Sequence, residues 1–560
     1  MASPGGKLGS RGIWILLAAA AVVRIVYLLD YRAHSIFWDS MLLDAEIYDK
    51  WALSIAGGDW IGGDSVYTLP PLYPYFLAAV YGLFGHGYVA VYAIQSLMGL
   101  IDVWLIHGIG RRVFDETTAL IASAIAVLYG SFMFTESKLM STTLAVTLGL
   151  VLMRVMLLAA ERRTLLLWAC CGALVGVTAL ARPEILLFVP FAVWWIRDVC
   201  RRRDAKKAKV AIDQVALAGR QPWFAISVFI VFVVITVSPV TLRNWIVSGD
   251  WSLSNLISSQ AGITFYQSNN ERAHGLYTFL DWVGFSGNPM VQAREEEAIA
   301  EQDTGRDLKR SEVTRYWIRR GMRWILSDPA GFVVLESKKL IRFLGSYEYS
   351  TEYIINVERE SVPSLWIAFL PFAAITGLGI SGILIHLKQG MKPPAVLLLL
   401  FVASNFLVVM IFYVSSRYRM PSAPYLILFA GHAVRQIGEW RKSPISARRT
   451  DAWIYGIIAL ALFGIFHLQI DSSAVVQEAN VHFNSGNKYY EKERFDEAVT
   501  EYRRSLRVNP KNWRAWFNMG NTYNKLGRRQ EAIDSYRKAL EFNEDMDSAR
   551  QMILRLGGTP

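Results

Sequence analysis

Three carboxylates lie within six residues near the start of the chain, in the segment LLDAEIYDKWA (residues 42–52). They are Asp44, Glu46 and Asp49, and they follow the first long apolar stretch. Ionisable side chains beside a membrane-like segment usually have a function. A carboxylate here can accept the proton of an attacking hydroxyl group as a general base. Asp44 is the first candidate for this role and Glu46 the second; the alternatives are a helix cap for Asp44 and a favourable first-turn charge for Glu46.

Other ionisable residues follow later apolar stretches and suggest phosphate chemistry. Arginine is the main candidate to bind a phosphate, because its planar guanidinium group can donate two parallel hydrogen bonds to phosphate oxygens. Glu136 either supports such a site, by positioning the phosphate or holding a metal ion, or forms a structural salt bridge with Lys138 or Arg182. The arginines are Arg182, Arg243, Arg417 and Arg419, and the supporting residues are Glu136 and Lys138. Together these residues suit a substrate that carries both a phosphate and a hydroxyl group to activate.

The elements that position these residues are predicted to be transmembrane helices. Of the 560 residues, 53% are hydrophobic and only 19% are charged, and the mean hydropathy is +0.27. This composition is typical of a polytopic membrane protein. The net charge of +11 lies mostly in short runs between apolar segments, which argues against a nucleic-acid partner. The three cysteines, Cys170, Cys171 and Cys200, have neither zinc-binding nor disulfide spacing.

A helix needs about 20 apolar residues to cross a bilayer, and this criterion predicts about eleven crossings. The predicted crossings are residues 13–29, 88–110, 117–135, 139–159, 165–181, 184–198, 223–242, 363–386, 393–413, 421–436 and 452–468. The fifth and sixth are short and are separated by Arg182-Pro183-Glu184. The Pro-rich stretch Pro70–Phe84 is also short, so it is predicted to lie in the membrane interface or to re-enter.

The distribution of Lys and Arg predicts the orientation of the chain, since cytoplasmic loops carry an excess of both. The basic loops are residues 111–112, 162–163, 197–209, 388–392 and 435–449. The loops 30–87 and 243–362 and the C-terminus then face the other side, which is the periplasm in a bacterium. Within the second of these loops, residues 312–326 and 332–344 are predicted to form amphipathic helices. These helices either lie along the outer leaflet or pack on the bundle.

The composition of the chain changes after about Ser472, where the sequence becomes polar and repetitive and is predicted to be helical. A period of 34 residues is typical of tetratricopeptide repeats. The residues that recur at this period are Gly486 and Gly520, Tyr489 and Tyr523, Ala498 and Ala532, and Tyr502 and Tyr536. We therefore divide the chain into a membrane domain, residues 1–471, and a domain of two repeats with a capping helix, residues 472–560. Two repeats are marginally stable alone, so they are expected to pack against the membrane domain or to pair with another chain.

Four segments of the membrane domain together resemble a known superfamily. They read DAEIYDKWALSIAGGDW, PPLYPYFLA, VSPVTLRNW and SSRYRMPSAP. Over residues 13–436, their order and their membrane side resemble the GT-C superfamily of membrane glycosyltransferases. The most similar members are bacterial enzymes of the protein O-mannosyltransferase and aminoarabinose-transferase type, in glycosyltransferase family 39. The C-terminal repeats resemble those of a subset of such enzymes.

This resemblance implies an all-α, polytopic transmembrane helical bundle of GT-C type. Such an enzyme moves a hexose or a pentose from a polyprenyl-phosphate donor to an acceptor hydroxyl group, with inversion of configuration. The superfamily's catalytic base, an acidic residue of the first extracytoplasmic loop, corresponds to Asp44. Arginines, with or without a divalent metal ion, would stabilise the leaving phosphate. Superfamily members often have adjacent Asp and Glu here, whereas Ala45 separates Asp44 from Glu46, so both acids stay candidates.

The expected partners are a polyprenyl-phosphate-linked sugar, a protein, lipid or glycan acceptor, membrane lipids, and a protein bound to the repeats. The expected location is the bacterial inner membrane, with the active site and the repeats in the periplasm. Two alternative functions are a transporter or flippase of lipid-linked glycans and a membrane-anchored tetratricopeptide scaffold. A transporter should show internal repeats and polar groups at mid-membrane, which are not apparent in this sequence. A scaffold would leave the convergent carboxylates and arginines unexplained.

Overall fold

The computed structural model describes residues 5–63, 65–208, 221–285, 291–468 and 472–559. Every regular element in these ranges is a helix, which confirms the predicted all-α class. The first ten are α1 (Gly5–His34), α2 (Asp44–Ala56), α3 (Leu72–Phe84), α4 (Tyr88–Val113), α5 (Glu116–Leu128), α6 (Gly130–Glu136), α7 (Thr142–Arg162), α8 (Leu165–Ala181), α9 (Val189–Ala208) and α10 (Gln221–Ser248).

The next ten helices complete the region that precedes the repeats. They are α11 (Ala261–Ser268), α12 (Gln292–Thr304), α13 (Arg310–Ser327), α14 (Pro329–Leu344), α15 (Ile355–Ser361), α16 (Phe372–Lys388), α17 (Pro393–Ile411), α18 (Ser416–Arg419), α19 (Ala423–Arg441) and α20 (Ser446–His467). Short 3₁₀ segments cover Ile36–Trp38, Pro183–Phe188, Leu253–Asn255, Asp281–Val283, Pro363–Trp366 and Met420–Ser422.

Six described helices are long and apolar enough to cross a membrane. They are Arg11–His34, Tyr88–Val113, Thr142–Arg162, Pro222–Ser248, Pro393–Ile411 and Ser446–His467. Four shorter apolar helices are Leu72–Phe84, Glu116–Leu128, Leu165–Ala181 and Phe372–Lys388. The chain is therefore an integral membrane protein. Each predicted crossing falls on a described helix, while the total of about eleven crossings stays a prediction.

Several predicted crossings are not continuous α-helices; residues 363–386, for example, include the 3₁₀ turn Pro363–Trp366 before α16 begins at Phe372. The predicted crossing 117–135 consists of two helices, because Tyr129 separates α5 from α6. The carbonyl of Ala368 lies where a Cβ of Gly130 would be, so a close backbone approach accompanies this break. The segment 184–198 begins as a 3₁₀ turn rather than an α-helix. Pro183 lacks an N–H group and cannot continue α8, which ends at Ala181.

The described residues form two compact units. The first consists of the described parts of Met1–Ile25, Asp44–Ser346 and Ile367–Gln469, and the second of Val26–Leu43, Tyr347–Trp366 and Ile470–Pro560. The second unit thus contains two segments beyond the predicted repeat domain 472–560. In the first unit, α8 packs closely along α10. Gly172 and Gly176 of α8 permit this close approach, because a Cβ on either residue would clash with α10.

The second unit contains the repeat helices α21 (Ser472–Glu491), α22 (Phe495–Val508), α23 (Trp513–Lys525), α24 (Arg529–Phe542) and α25 (Asp547–Arg555). They form two antiparallel pairs and a final capping helix around their own apolar core. Gly486 packs against the ring of Tyr502, and Gly520 packs in the same way against Tyr536. The 34-residue period of the sequence therefore corresponds to a repeated glycine–tyrosine contact.

Candidate functional site

A cavity of about 410 Å³ lies in the first unit, where the ends of several helices converge. Its walls come from the start of α2, the loops before α3 and α7, the segment after α8, the start of α11, and the region from α17 to α18. The walls are mainly apolar but include four ionisable side chains and two tyrosines. These are Asp44, Arg182, Glu184, Arg417, Tyr48 and Tyr418. Three of them, Asp44, Arg182 and Arg417, are candidates from the sequence.

Asp44 and Arg417 form an ion pair in this cavity. Asp44 is the first residue of α2, and Arg417 lies in the short helix α18. Nη1 of Arg417 donates to Oδ2 of Asp44 at 2.6 Å, and Nη2 donates to the Tyr413 hydroxyl at 3.2 Å. The two charged side chains are 21% and 22% exposed, so a ligand in the cavity can reach both. The predicted base and a predicted phosphate-binding residue are thus adjacent.

Tyr418 lies between two arginines. The guanidinium carbon of Arg182 is 4.9 Å from the centroid of the Tyr418 ring, and that of Arg417 is 5.5 Å away. Burial raises the pKa of the Tyr418 hydroxyl well above its usual value, so this side chain stays neutral. Because a cation–π contact consumes no N–H donor, Arg182 can still donate hydrogen bonds into the cavity.

Glu184 adds a second carboxylate to the cavity. It lies in the 3₁₀ segment after α8, with Oε1 3.6 Å from Nη2 of Arg182. Its other oxygen, Oε2, is buried and has no hydrogen-bond partner in the part of the chain that the structure describes. A buried polar atom without a partner costs free energy. Glu184 therefore keeps one hydrogen-bond acceptor oxygen without a donor among the described residues.

A chain of contacts supports the wall around Tyr48. The Tyr48 ring meets the Tyr73 ring edge-on at 5.2 Å, and burial raises the pKa of the Tyr48 hydroxyl. Tyr73 donates to Oε1 of Gln95 at 2.8 Å, and Nε2 of Gln95 donates to the carbonyl of Glu136 at 2.8 Å. These contacts link α2, α3 and α4 to the end of α6.

Arg243 lies outside the residues that line the cavity. It lies near the end of α10 and donates to the backbone carbonyls of Ser65 at 2.6 Å and Gly63 at 2.8 Å. Its guanidinium carbon is also 3.9 Å from the centroid of the Tyr67 ring. Arg243 thus holds the loop before α3, whose next residues, Thr68 and Leu69, do line the cavity.

Glu46 and Asp49 also lie outside the cavity lining, although both are in α2 with Asp44. Glu46 pairs with Lys50 at 2.7 Å, four residues along the same helix. Asp49 accepts a hydrogen bond from the Tyr81 hydroxyl at 2.6 Å. Of the three carboxylates in this segment, the structure brings Asp44 to the cavity.

Arg419 is buried away from the cavity, two residues after Arg417. Its Nη1 donates to the carbonyl of Gly345 at 2.8 Å, and its guanidinium carbon lies 4.3 Å from the centroid of the Phe372 ring. The side chain is fully buried. Its contacts are with backbone carbonyls and an aromatic ring of the first unit.

Glu136 and Lys138 are buried outside the cavity. Glu136 accepts two hydrogen bonds from Arg24, at 2.6 and 2.8 Å. Nζ of Lys138 lies 4.8 Å from the centroid of the Phe134 ring. Glu136 therefore forms a salt bridge, but its partner is Arg24 and not Lys138 or Arg182.

The described residues contain no group of three or more His, Cys, Asp and Glu side chains that could hold a metal ion. The two cavity carboxylates each face an arginine, Asp44 facing Arg417 and Glu184 facing Arg182. This donor set does not fit a divalent cation.

Three cavity residues were not candidates from the sequence, namely Tyr48, Glu184 and Tyr418. Tyr48 lies one helical turn after Asp44, which places it on the same face of α2. Glu184 follows Arg182-Pro183, and Tyr418 lies between Arg417 and Arg419. Proximity to stronger candidates was thus the available signal for all three.

The fold and the cavity define a helical integral membrane protein with a charged site at its helix ends and tetratricopeptide repeats at its C-terminus. Residues 68–239 match the family model described as dolichyl-phosphate-mannose-protein mannosyltransferase. Residues 486–527 match a TPR repeat model and residues 513–546 a tetratricopeptide repeat model. These matches confirm the predicted resemblance to membrane glycosyltransferases and the predicted repeats.

Solved structures of membrane transferases are also similar to the chain. Archaeal oligosaccharyltransferase AglB from Archaeoglobus fulgidus, in complex with an inhibitory peptide and a dolichol-phosphate, is 12% identical with a TM-score of 0.44. That comparison covers 87% of this chain and 59% of the archaeal chain, so this chain spans less than two thirds of its length. ArnT from Cupriavidus metallidurans, bound to undecaprenyl phosphate, is 15% identical with a TM-score of 0.34, covering 76% of this chain and 78% of that one. No curated protein sequence matches the chain.

Proposed function

We propose that this chain is an inverting glycosyltransferase that moves a sugar from a polyprenyl-phosphate donor to an acceptor hydroxyl group. The observation that carries the proposal is the Asp44–Arg417 pair, a carboxylate and a guanidinium 2.6 Å apart in one cavity. The family model matched by residues 68–239 supports it, since its description names a dolichyl-phosphate sugar and a protein acceptor. The distribution of Lys and Arg supports an extracytoplasmic site, which is periplasmic in a bacterium.

Asp44 is proposed as the general base. The acceptor hydroxyl group loses its proton to a carboxylate oxygen of Asp44, and its oxygen attacks the anomeric carbon of the sugar. The bond between that carbon and the phosphate oxygen breaks, and the polyprenyl phosphate leaves with the bonding electrons. A single displacement inverts the configuration at the anomeric carbon. The proton on Asp44 is then released to solvent.

Arg417 is proposed to bind the donor phosphate and to leave Asp44 when it does so. In the pair, Oδ2 of Asp44 already accepts a hydrogen bond from Nη1 of Arg417 at 2.6 Å. If the phosphate accepts the Arg417 N–H groups instead, this oxygen is open to the proton of the acceptor hydroxyl group. The donor would thus have to bind before the acceptor reacts.

Arg182 and Glu184 are proposed to act on the donor beside Arg417. Arg182 supplies a second guanidinium group to the phosphate, and the two arginines stabilise the charge that develops on it as it leaves. The unpartnered Oε2 of Glu184 accepts a hydrogen bond from a hydroxyl or amino group of the sugar. The repeats are proposed to bind a protein acceptor or a partner protein.

The test is sugar transfer from radiolabelled polyprenyl-phosphate hexoses and pentoses in membranes that contain wild type, Asp44→Asn or Glu46→Gln. Asn keeps the shape of Asp44 and cannot act as the base, so transfer should fall by about a hundredfold or more. Glu46→Gln removes a carboxylate from the same helix outside the cavity and should keep its activity. Equal levels of folded protein are checked by size-exclusion chromatography.

Two results would contradict the proposal. Full activity of Asp44→Asn would exclude Asp44 as the base, and loss of activity in Glu46→Gln alone would assign that role to Glu46. Absence of transfer by wild type with every donor would contradict the transferase itself. The transporter and scaffold functions would then be the ones to test.

A further inference from the structure

A second cavity, of about 510 Å³, lies between the end of α12 and the exposed side of α13. Its lining is rich in arginine and differs completely from that of the first cavity. Five arginines and two carboxylates line it, namely Arg306, Arg315, Arg319, Arg320, Arg323, Asp303 and Glu312. The arginines outnumber the carboxylates, so this groove favours an anion.

The two carboxylates are already paired. Arg306 donates to Glu312 at 2.8 Å, and Arg320 donates to Asp303 at 3.3 Å. The other three arginines, Arg315, Arg319 and Arg323, form no ion pair with a carboxylate among the described residues. They follow one another at intervals of four, so they lie along one side of α13. Their charges are therefore available to an external ligand.

An apolar stripe runs beside these arginines on the same helix. Ile318, Met322 and Leu326 are 37%, 41% and 73% exposed, respectively. The opposite face of α13 is buried, with Val313 and Trp317 in an apolar core. The exposed face of α13 thus carries apolar side chains along one side and arginines along the other.

The next helix also carries exposed apolar side chains. Pro329 starts α14 directly after α13, and Val333 and Val334 there are 63% and 55% exposed. Exposed apolar surface beside cationic residues is typical of a protein surface that meets a bilayer. A soluble anion would use the arginines but would leave the apolar stripe in water.

We infer that this groove binds an anionic phospholipid of the surrounding bilayer. The phosphate group lies among Arg315, Arg319 and Arg323, and the acyl chains cover Ile318, Met322 and Leu326. The chain is an integral membrane protein, so a bilayer is part of its surroundings. The inference does not depend on the proposed transferase activity, since it uses none of the residues of the first cavity.

The test is native mass spectrometry of the full chain released from nanodiscs that contain phosphatidylcholine and phosphatidylglycerol. The variant Arg315→Gln/Arg319→Gln/Arg323→Gln removes three exposed charges from the groove. The matched control, Arg507→Gln/Lys511→Gln/Lys525→Gln, removes three exposed charges from the repeats. We expect the groove variant to lower the affinity for phosphatidylglycerol at least tenfold, and the control to leave it unchanged.

Two further measurements distinguish a phospholipid from a soluble anion as the ligand of this groove. Ile318→Ser/Met322→Ser keeps all the arginines and should also weaken retention of phosphatidylglycerol, because the acyl chains lose their contact. Glycerol 3-phosphate, which carries the phosphate without acyl chains, should not displace the lipid. Equal retention of phosphatidylglycerol by the groove variant and wild type would overturn the inference. Full displacement by glycerol 3-phosphate would also overturn it, because the groove would then be a site for a soluble anion.

Discussion

The ion pair between Asp44 and Arg417 connects binding to chemistry in the proposed site. While Arg417 donates to Asp44, that carboxylate oxygen is occupied, and it becomes open to the acceptor proton only when another group takes the Arg417 N–H groups. The distance of 2.6 Å between Oδ2 and Nη1 describes the paired state. Because Arg417 also lies over the Tyr418 ring, the phosphate can take its N–H groups while the cation–π contact keeps the guanidinium in the cavity.

Glu184 allows a prediction that separates binding from stability. In Glu184→Gln, the sugar loses a charged acceptor, and a hydrogen bond to a charged group contributes about 1.5–3 kcal/mol. The kcat/KM for sugar transfer should therefore fall about tenfold to a hundredfold. The thermal midpoint should change little, because the Gln amide has the same shape as the carboxylate and keeps a polar atom at the position of the unpartnered Oε2.

The measurement combines the transfer assay with thermal unfolding in detergent. Glu541→Gln, which changes an exposed carboxylate of α24, is the control and should alter neither quantity. A lower thermal midpoint with unchanged transfer would show that Glu184 has a structural role instead.

The sequence predicted the residue types of the site better than their positions. Asp44, Arg182 and Arg417 line one cavity, as a combination of phosphate and hydroxyl chemistry requires. Arg243 and Arg419 lie elsewhere, because backbone carbonyls bind them. Every residue has a backbone carbonyl, so no sequence pattern distinguishes an arginine that binds carbonyls from one that binds a phosphate.

At the scale of the helices, hydropathy predicted where the apolar segments lie but not where they break. Membrane-length apolar runs correspond to helices because the backbone must satisfy its own hydrogen bonds in lipid. The break at Tyr129 coincides with the close approach of Gly130 to Ala368, a contact between distant parts of the chain. Such a contact leaves no local signal, whereas the break at Pro183 could be read directly from the sequence.

The buried pair of Arg24 in α1 and Glu136 in α6 should be essential to helix packing. Glu136→Gln leaves the Arg24 charge buried without its counter-charge, which should destabilise the fold by about 3–5 kcal/mol. The double variant Arg24→Met/Glu136→Gln removes both charges and should recover most of that loss. Thermal unfolding in detergent measures both effects.

The control for this cycle is a pair in which the carboxylate is exposed. Glu161→Gln removes the 54% exposed partner of Arg112, and pairs near the surface contribute only about 0–1 kcal/mol. If Glu136→Gln were no more destabilising than Glu161→Gln, the buried pair would not hold the helices. If the double variant were as unstable as Glu136→Gln, the loss would come from packing rather than from charge.

At the scale of the whole molecule, the second unit explains how two repeats can be stable. Two repeats bury too little apolar surface to be stable alone. In this unit the Tyr347 hydroxyl donates to Glu478 at 2.8 Å, and the Ser350 N–H donates to Gln477 at 3.1 Å. The segment Tyr347–Trp366 thus acts as an additional layer against the first repeat helix, α21.

Loss of this layer should loosen the first repeat selectively. In the full chain, Gln477→Ala/Glu478→Ala removes both hydrogen bonds, so amide hydrogen exchange should accelerate in α21 and α22. Helices α23 and α24 should change less, because the core around Tyr523 and Tyr536 is intact. Lys538→Ala, which disrupts an exposed pair in α24, is the control and should leave α21 unchanged. The layer comes from a segment that is far away in sequence and is absent from an excised fragment of residues 472–560. The amide hydrogens of that fragment should therefore exchange as fast as those of the double variant. Full protection of these amides in the fragment would mean that the repeats need no such support.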